Sequence, residues 1–97
     1  KGFSWQDTVI ENDCKLDSLV HIAHASVIGE RCFITASVEI SGSVRIGHDC
    51  WIGPGAKIIN GVSIGNSTFV GIGAVVTKSF ASNLTIAGYP AKILSKL

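Results

Sequence analysis

Twelve aliphatic residues in this chain stand at an unbroken interval of six: Ile10, Leu16, Ile22, Ile28, Ile34, Ile40, Ile46, Ile52, Ile58, Ile64, Val70 and Val76. An α-helix repeats its apolar face every 3.6 residues and a half-buried strand every 2, so neither element alone produces this interval. A sustained period of six is the mark of a parallel β-helix, in which very short strands separated by turns wind into a solenoid. The interval therefore gives nearly every residue an address in space.

A second regularity runs beside the first. Four residues after each aliphatic stands a small or β-branched side chain, from Cys14, Val20 and Ser26 through to Thr68 and Ala74, which suits a narrow interior. Gly29, Gly47, Gly53, Gly65 and Gly71 directly follow aliphatics, where the reading expects tight corners that call for positive φ. Cys14, Cys32 and Cys50 are eighteen residues apart, or three hexads. One coil of eighteen residues stacks them in a column continued by Thr68 and gives a triangular cross-section with three flat faces. The expected organisation is an N-terminal cap over 1–8, about four coils over 9–80 and a C-terminal tail over 81–97. Phe3 and Trp5 are expected to cover the open top. In the tail an extended piece over 84–87 precedes the turn Gly88-Tyr89-Pro90, and 91–97 is read as a brief helix.

Ninety-seven residues make one small domain, and 46% hydrophobic against 15% charged residues suits three faces that all bury a column. No apolar run approaches the roughly 18 residues of a membrane span, and no signal-peptide pattern opens the chain. The expected location is cytoplasmic. A formal charge of +1 and the lack of a basic stripe give no case for nucleic-acid binding. The chain starts at Lys1, and a preceding segment is expected. Three inward cysteines read as small core residues, since a disulfide framework normally uses an even number. Stacked thiols share one direction and lack histidines in their column, so no metal site is expected.

The chemistry-bearing candidates begin with the histidines His21, His24 and His48. Imidazole titrates near neutral pH and is the natural base for an amine or hydroxyl proton. His24 lies two residues after Ile22, at an outward corner, and steps of eighteen place Gly42, Asn60 and Lys78 below it. A base, a gap, an amide and a cation thus stand in line over about 14 Å, a reach that suits the pantetheine arm of coenzyme A. In such a groove Gly42 leaves room for a thioester and offers its N–H to the carbonyl oxygen. Asn60 is placed to bond an amide of the arm, and Lys78 to meet phosphate. His21, on the preceding strand, is a candidate acceptor contact. His48 shares a column with Glu30 and Asn66, and its ring is expected to pair with Glu30.

Residues 10–80 resemble the hexapeptide-repeat superfamily, whose fold is a left-handed parallel β-helix and whose members are usually homotrimers with sites between subunits. The segment Lys15-Leu16-Asp17-Ser18-Leu19-Val20-His21-Ile22-Ala23-His24 is similar to the catalytic-histidine motif of the N-acyltransferase of lipid A synthesis. The stretch from His24 through Gly29-Glu30 to Gly42-Ser43-Val44 resembles acetyltransferases for nucleotide-linked amino sugars in sialic-acid and bacillosamine pathways. In both groups the residue matching His24 is the base, and in the second the residue matching Gly42 helps to hold the acetyl thioester. Gly73-Ala74-Val75-Val76-Thr77-Lys78 and Ala87-Gly88-Tyr89-Pro90-Ala91-Lys92 resemble the coenzyme A-binding tail of hexapeptide acetyltransferases, which brings in Lys92 and favours acetyl-CoA over an acyl carrier protein. The same likeness makes the column Ala36, Pro54, Ile72 the facing wall of the cleft in the next subunit. The chain departs from the bacillosamine pattern at Ala23, where an acidic residue would polarise the base, and at Phe33, where a second histidine would stand. A backbone carbonyl, Asp7 or Asp17 is left to orient His24.

The resemblance implies acetyl transfer from acetyl-CoA to an amine or hydroxyl of a sugar, often nucleotide-linked, with no acyl-enzyme. The alternative within the acyltransferases is an N-acyltransferase of lipid A type that uses acyl carrier protein, and two further readings share the fold. A γ-type carbonic anhydrase holds zinc with three histidines, the later pair five apart, against spacings of 3 and 24 here. A non-catalytic trimerisation or scaffold module is the other.

Overall fold

A computed structural model describes residues 7–96. Every aliphatic of the six-residue series is the second residue of a two-residue strand, and the strands sort into three sheets. Numbered in chain order, the first sheet stacks β1 (Val9–Ile10), β4 (Val27–Ile28), β7 (Arg45–Ile46) and β10 (Ser63–Ile64). The second stacks β2 (Lys15–Leu16), β5 (Phe33–Ile34), β8 (Trp51–Ile52) and β11 (Phe69–Val70), and the third β3 (His21–Ile22), β6 (Glu39–Ile40), β9 (Lys57–Ile58) and β12 (Val75–Val76). All these pairings are parallel and every register step among them is eighteen, as in Ile10↔Ile28↔Ile46↔Ile64. The result is a left-handed β-helix of about four triangular coils, with principal extents of 36 × 23 × 22 Å.

The core follows from strand alternation. From β3 onward the first side chain of each two-residue strand faces out and the aliphatic faces in, whereas in β1 Val9 is the buried residue and Ile10 the exposed one. From Ile28 to Val76 the ruler residues are all buried, together with Cys32, Val38, Val44, Cys50, Ala56, Val62, Thr68 and Ala74 at the inner corners. Each buried aliphatic contributes about 2 kcal/mol of hydrophobic stabilisation. The first coil is more open, with Ile10 41% and Leu16 45% exposed. The cap expected from Phe3 and Trp5 lies outside the described residues.

Two expectations are corrected. Positive φ falls three residues after each aliphatic from Ile10 to Val70, at Asp13, Leu19, Ala25, Arg31, Ser37, Ser43, Asp49, Gly55, Gly61, Ser67 and Gly73, and not on the glycines directly after them. Those glycines answer to close stacking instead. A Cβ on Gly29 would stand 2.6 Å from the carbonyl carbon of Gly47 and 2.7 Å from the backbone nitrogen of His48. The terminal helix is also absent: 92–96 is a strand, β14 (Lys92–Lys96), antiparallel to β13 (Leu84–Ala87). β13 continues the second sheet by pairing in parallel with β11, so its lower edge offers unpaired backbone groups that a strand satisfies and a helix would not.

The register below β12 shortens by two residues. Ile64 bridges Phe80, and Val70 pairs with Ile86, both steps of sixteen. The ladder therefore runs past residue 80, with Ile86 fully buried beneath Val70.

Candidate functional site

Stacked coils make stacked corners, and the three edges of the prism carry different chemistry. On the edge between the third and first sheets, the N–H of Ser43 donates to the carbonyl of His24 and that of Gly61 to the carbonyl of Gly42, each at 3.0 Å. His24, Gly42 and Asn60 thus occupy successive levels of one edge. Gly42 is buried between two exposed neighbours. A Cβ there would lie 2.9 Å from Cε1 and 3.1 Å from Nε2 of His24, and 3.3 Å from Nδ2 of Asn60. The imidazole and the amide both close over the space that the missing side chain leaves. Room expected for a ligand at Gly42 is therefore already bordered by the His24 ring.

Neither ring nitrogen of His24 nor the side chain of Asn60 has a hydrogen-bond partner among the described residues. Asp17, one candidate to orient the ring, instead accepts the N–H of Ser18 at 2.7 Å. The N–H of Gly42 is likewise without an acceptor among the described residues, whereas that of His48, at the same position of another corner, donates to Oδ1 of Asn66 at 3.0 Å. The corner is anchored by two hydroxyls of one column, eighteen residues apart. The Thr8 hydroxyl donates to the carbonyl of Ala23, just before His24, at 2.9 Å. Behind it the buried Ser26 hydroxyl donates to the carbonyl of Ser41 at 2.8 Å and accepts the N–H of Val44 at 3.1 Å. Sequence reasoning counted Ser26 only as a small inward residue; the signal was its hydroxyl in a column continued by Val44 and Val62.

Lys78 lies in the shortened corner after β12, on the same edge below Asn60, with Nζ 5.6 Å from the centre of the Phe80 ring. His21 faces outward on the adjoining third sheet, one level above Glu39, which pairs with Lys57 at 3.2 Å. The other candidates are elsewhere. Ala36, Pro54 and Ile72 stack on the edge between the second and third sheets, where Gly55 donates to Ala36 and Gly73 to Pro54. Lys92 opens β14 beside that edge, where the Ala91 N–H donates to the carbonyl of Val75. Within one chain these residues do not meet His24.

On the remaining edge the expected His48–Glu30 pair is replaced. His48 Nδ1 lies 2.7 Å from Asp49 Oδ2, while Glu30 pairs with Arg31 at 3.2 Å. Arg31 also grips both carboxylate oxygens of Asp49 at 2.9 Å. The Arg31 hydrogen bonds, and then that of His48, hold the Asp49 carboxyl at a pKa of about 2. The cysteines are free thiols facing the core. A hydrogen bond with Cys50 together with burial holds the Cys32 thiol above its usual range, and burial raises that of Cys14, so neither is an activated nucleophile. Among the described residues no group of three or more His, Cys, Asp or Glu converges on a metal position. No helix among them is long and apolar enough to cross a membrane. The His24 edge is a convex ridge, with no enclosed cavity beside it among the described residues of the single chain.

The sequence matches the bacterial transferase hexapeptide (six repeats) family over residues 7–42 and 43–78. The chain belongs to that family. No curated protein matches it in sequence. Among solved structures it is similar to serine acetyltransferase from Brucella abortus strain S19, at 26% identity and a TM-score of 0.75, over 87% of this chain and 40% of that one. The same enzyme has been solved in complex with coenzyme A, and matches at 25% identity with a TM-score of 0.75, over 87% of this chain and 40% of that one. The H141N mutant of perosamine N-acetyltransferase from Caulobacter crescentus, in complex with CoA and GDP-perosamine, matches at 25% identity and a TM-score of 0.62, over 92% of this chain and 54% of that one. The chain thus spans about two fifths to just over half the length of these proteins.

Proposed function

We propose that this chain is the acyl-transfer module of an acetyltransferase that moves an acetyl group from acetyl-CoA to an amine or hydroxyl of a sugar, in the nucleotide-linked form. The observation that carries the reading is the stack of His24, Gly42 and Asn60, in which a solvent-facing imidazole borders a backbone N–H, neither with a hydrogen-bond partner among the described residues. The solved perosamine N-acetyltransferase, with CoA and a nucleotide sugar bound, supports this acceptor class.

In this reading the acceptor nitrogen or oxygen attacks the thioester carbonyl carbon while His24 takes its proton. The N–H of Gly42 donates to the oxyanion that forms. As the tetrahedral intermediate collapses the carbon–sulfur bond breaks, and His24 returns the proton to the departing thiolate. Asn60 bonds the pantetheine arm, Lys78 meets the phosphates, and His21 contacts the acceptor. A ridge shields nothing from water by itself. We therefore propose a homotrimer in which the Ala36, Pro54 and Ile72 edge of a second copy, with Lys92, closes the cleft. Use of acetyl-CoA fits a cytoplasmic enzyme.

The serine acetyltransferases among the neighbours favour a second reading, in which the acceptor is an amino-acid hydroxyl. Thiol release from acetyl-CoA, measured with amino sugars, nucleotide sugars and serine in parallel, separates the two. The expected result is release with a nucleotide-linked sugar and its loss, by at least about a hundredfold, in His24→Ala. Release with serine alone selects the second reading. Undiminished release in His24→Ala removes the histidine from the mechanism.

A further inference from the structure

Two ways of closing an inner corner recur in this solenoid, while the turn over 35–38 beneath Val20 shows neither. Beneath Val38, Val44 and Ala56 the turn bonds to itself: Ala56 N–H to Gly53 C=O at 3.1 Å, Val62 to Ile59 at 3.4 Å and Ala74 to Gly71 at 3.2 Å. Beneath a hydroxyl or thiol the turn is wedged open. Cys32 accepts the N–H of Cys50 and donates to the carbonyl of Gly47 at 3.0 Å, standing between groups that would otherwise pair. On the His24 edge the described residues hold two hydroxyls of one column: Thr8 donates to the carbonyl of Ala23 at 2.9 Å, and Ser26 stands eighteen residues on. Ser26 sits between the carbonyl of Ser41 and the N–H of Val44, while the next turn down, beneath Val44, is self-closed. The turn that Ser26 wedges is the one that carries Gly42.

We propose that Ser26 is a positioning residue for the acyl-transfer edge. Its buried hydroxyl holds the turn over 41–44 open, and so sets the height of the Gly42 backbone against the His24 ring. The inference rests on the acyl-transfer reading of that edge. Without the hydroxyl the Val44 N–H is free to close on the Ser41 carbonyl, as Val62 does on Ile59, and Gly42 moves with the turn. A thiol does the same work at Cys32, which makes Ser26→Cys the conservative replacement. Cys32→Ala removes an equivalent wedge on another edge, away from His24.

The test compares Ser26→Ala, Ser26→Cys and Cys32→Ala in the full-length protein by thermal melting, steady-state kinetics and amide NMR. Ser26→Ala is expected to lower kcat about fivefold, the scale of a sub-ångström misplacement, with KM for acetyl-CoA nearly unchanged. Ser26→Cys is expected to restore kcat to within about a factor of two, and Cys32→Ala to lower Tm while keeping kcat. The Gly42 amide signal should move in Ser26→Ala and stay in Cys32→Ala. Unchanged kcat in Ser26→Ala, an equal kcat loss in Cys32→Ala, or an unmoved Gly42 signal in Ser26→Ala overturns the proposal. If the wild type transfers no acetyl group, the functional reading fails on its own and the NMR arm still decides whether Ser26 sets the turn.

Discussion

Replacing Gly42 by alanine should separate the stability of this fold from its chemistry. The added methyl would stand 2.9 Å from Cε1 and 3.1 Å from Nε2 of His24, and 3.3 Å from Nδ2 of Asn60. Ordinary carbon contacts begin near ~3.5 Å, so the ring must retreat by about half an ångström. It has freedom to do so, being exposed and without a hydrogen-bond partner among the described residues. Gly42 has no positive φ, and its new neighbours are the ends of side chains and not backbone. The stability cost should stay within about 1 kcal/mol, a Tm shift of about 4–8 °C at most for a domain of this size. Catalysis is less forgiving. A misplacement of 1 Å costs about a hundredfold, so half that distance should lower kcat on the order of tenfold. The assay is thiol release from acetyl-CoA in Gly42→Ala, His24→Ala and the double variant, beside thermal melts of each. Because the methyl acts through the ring, it should add nothing once the ring is gone. Full kcat in a folded Gly42→Ala, or independent multiplication of the two losses, refutes the reasoning.

The glycines of the ladder offer a stability contrast. Gly29→Ala drives a Cβ to within 2.6–2.7 Å of the Gly47 and His48 backbone, which cannot step aside without prising two coils apart. A loss of at least about 3 kcal/mol is expected, lowering Tm by roughly 15 °C. Gly73→Ala meets nothing within 4 Å at φ +66 and should cost only about 1 kcal/mol, since Ala25 already holds φ 58 at an equivalent corner. Similar melts for the two variants would refute the close-stacking account. Asp49 should make a small contribution that depends on acid. Its folded pKa of about 2 lies below the ordinary carboxylate value of about 4. The stabilisation is therefore complete above about pH 4 and fades as pH falls toward 2. The Tm difference between wild type and Asp49→Asn, a residue that tolerates the left-handed corner, should shrink over that window. A difference that does not vary with pH would show that the Arg31 contact contributes nothing through charge.

The six-residue ruler made the strands and the three-sheet winding legible, because each Ile or Val had to face one narrow interior. The eighteen-residue column also set His24, Gly42 and Asn60 on one edge, since register in a parallel ladder admits little slip. What composition could not carry was distance between backbones. The glycines after the aliphatics looked like turn formers, while the left-handed corner was being filled by Asp, Ser, Arg, Leu and Ala two residues later. The final coil leaves the ruler. Ser82 sits on the ruler, but Phe80 and Ile86 keep a step of six from each other, two residues early, and that offset was visible in the sequence. The strand over 92–96 was hidden because its cause is an unpaired sheet edge contributed by 84–87.

The corner between Val76 and Phe80 omits two residues, yet Ile64 and Val70 still find partners below. Length can thus change at a vertex of the prism without disturbing the rungs on either side. The walls fix where chemistry stands, while the vertices remain open to variation. Segments grafted at these vertices would reshape what reaches the His24 edge and leave the interior untouched, a route by which one scaffold can acquire new substrates.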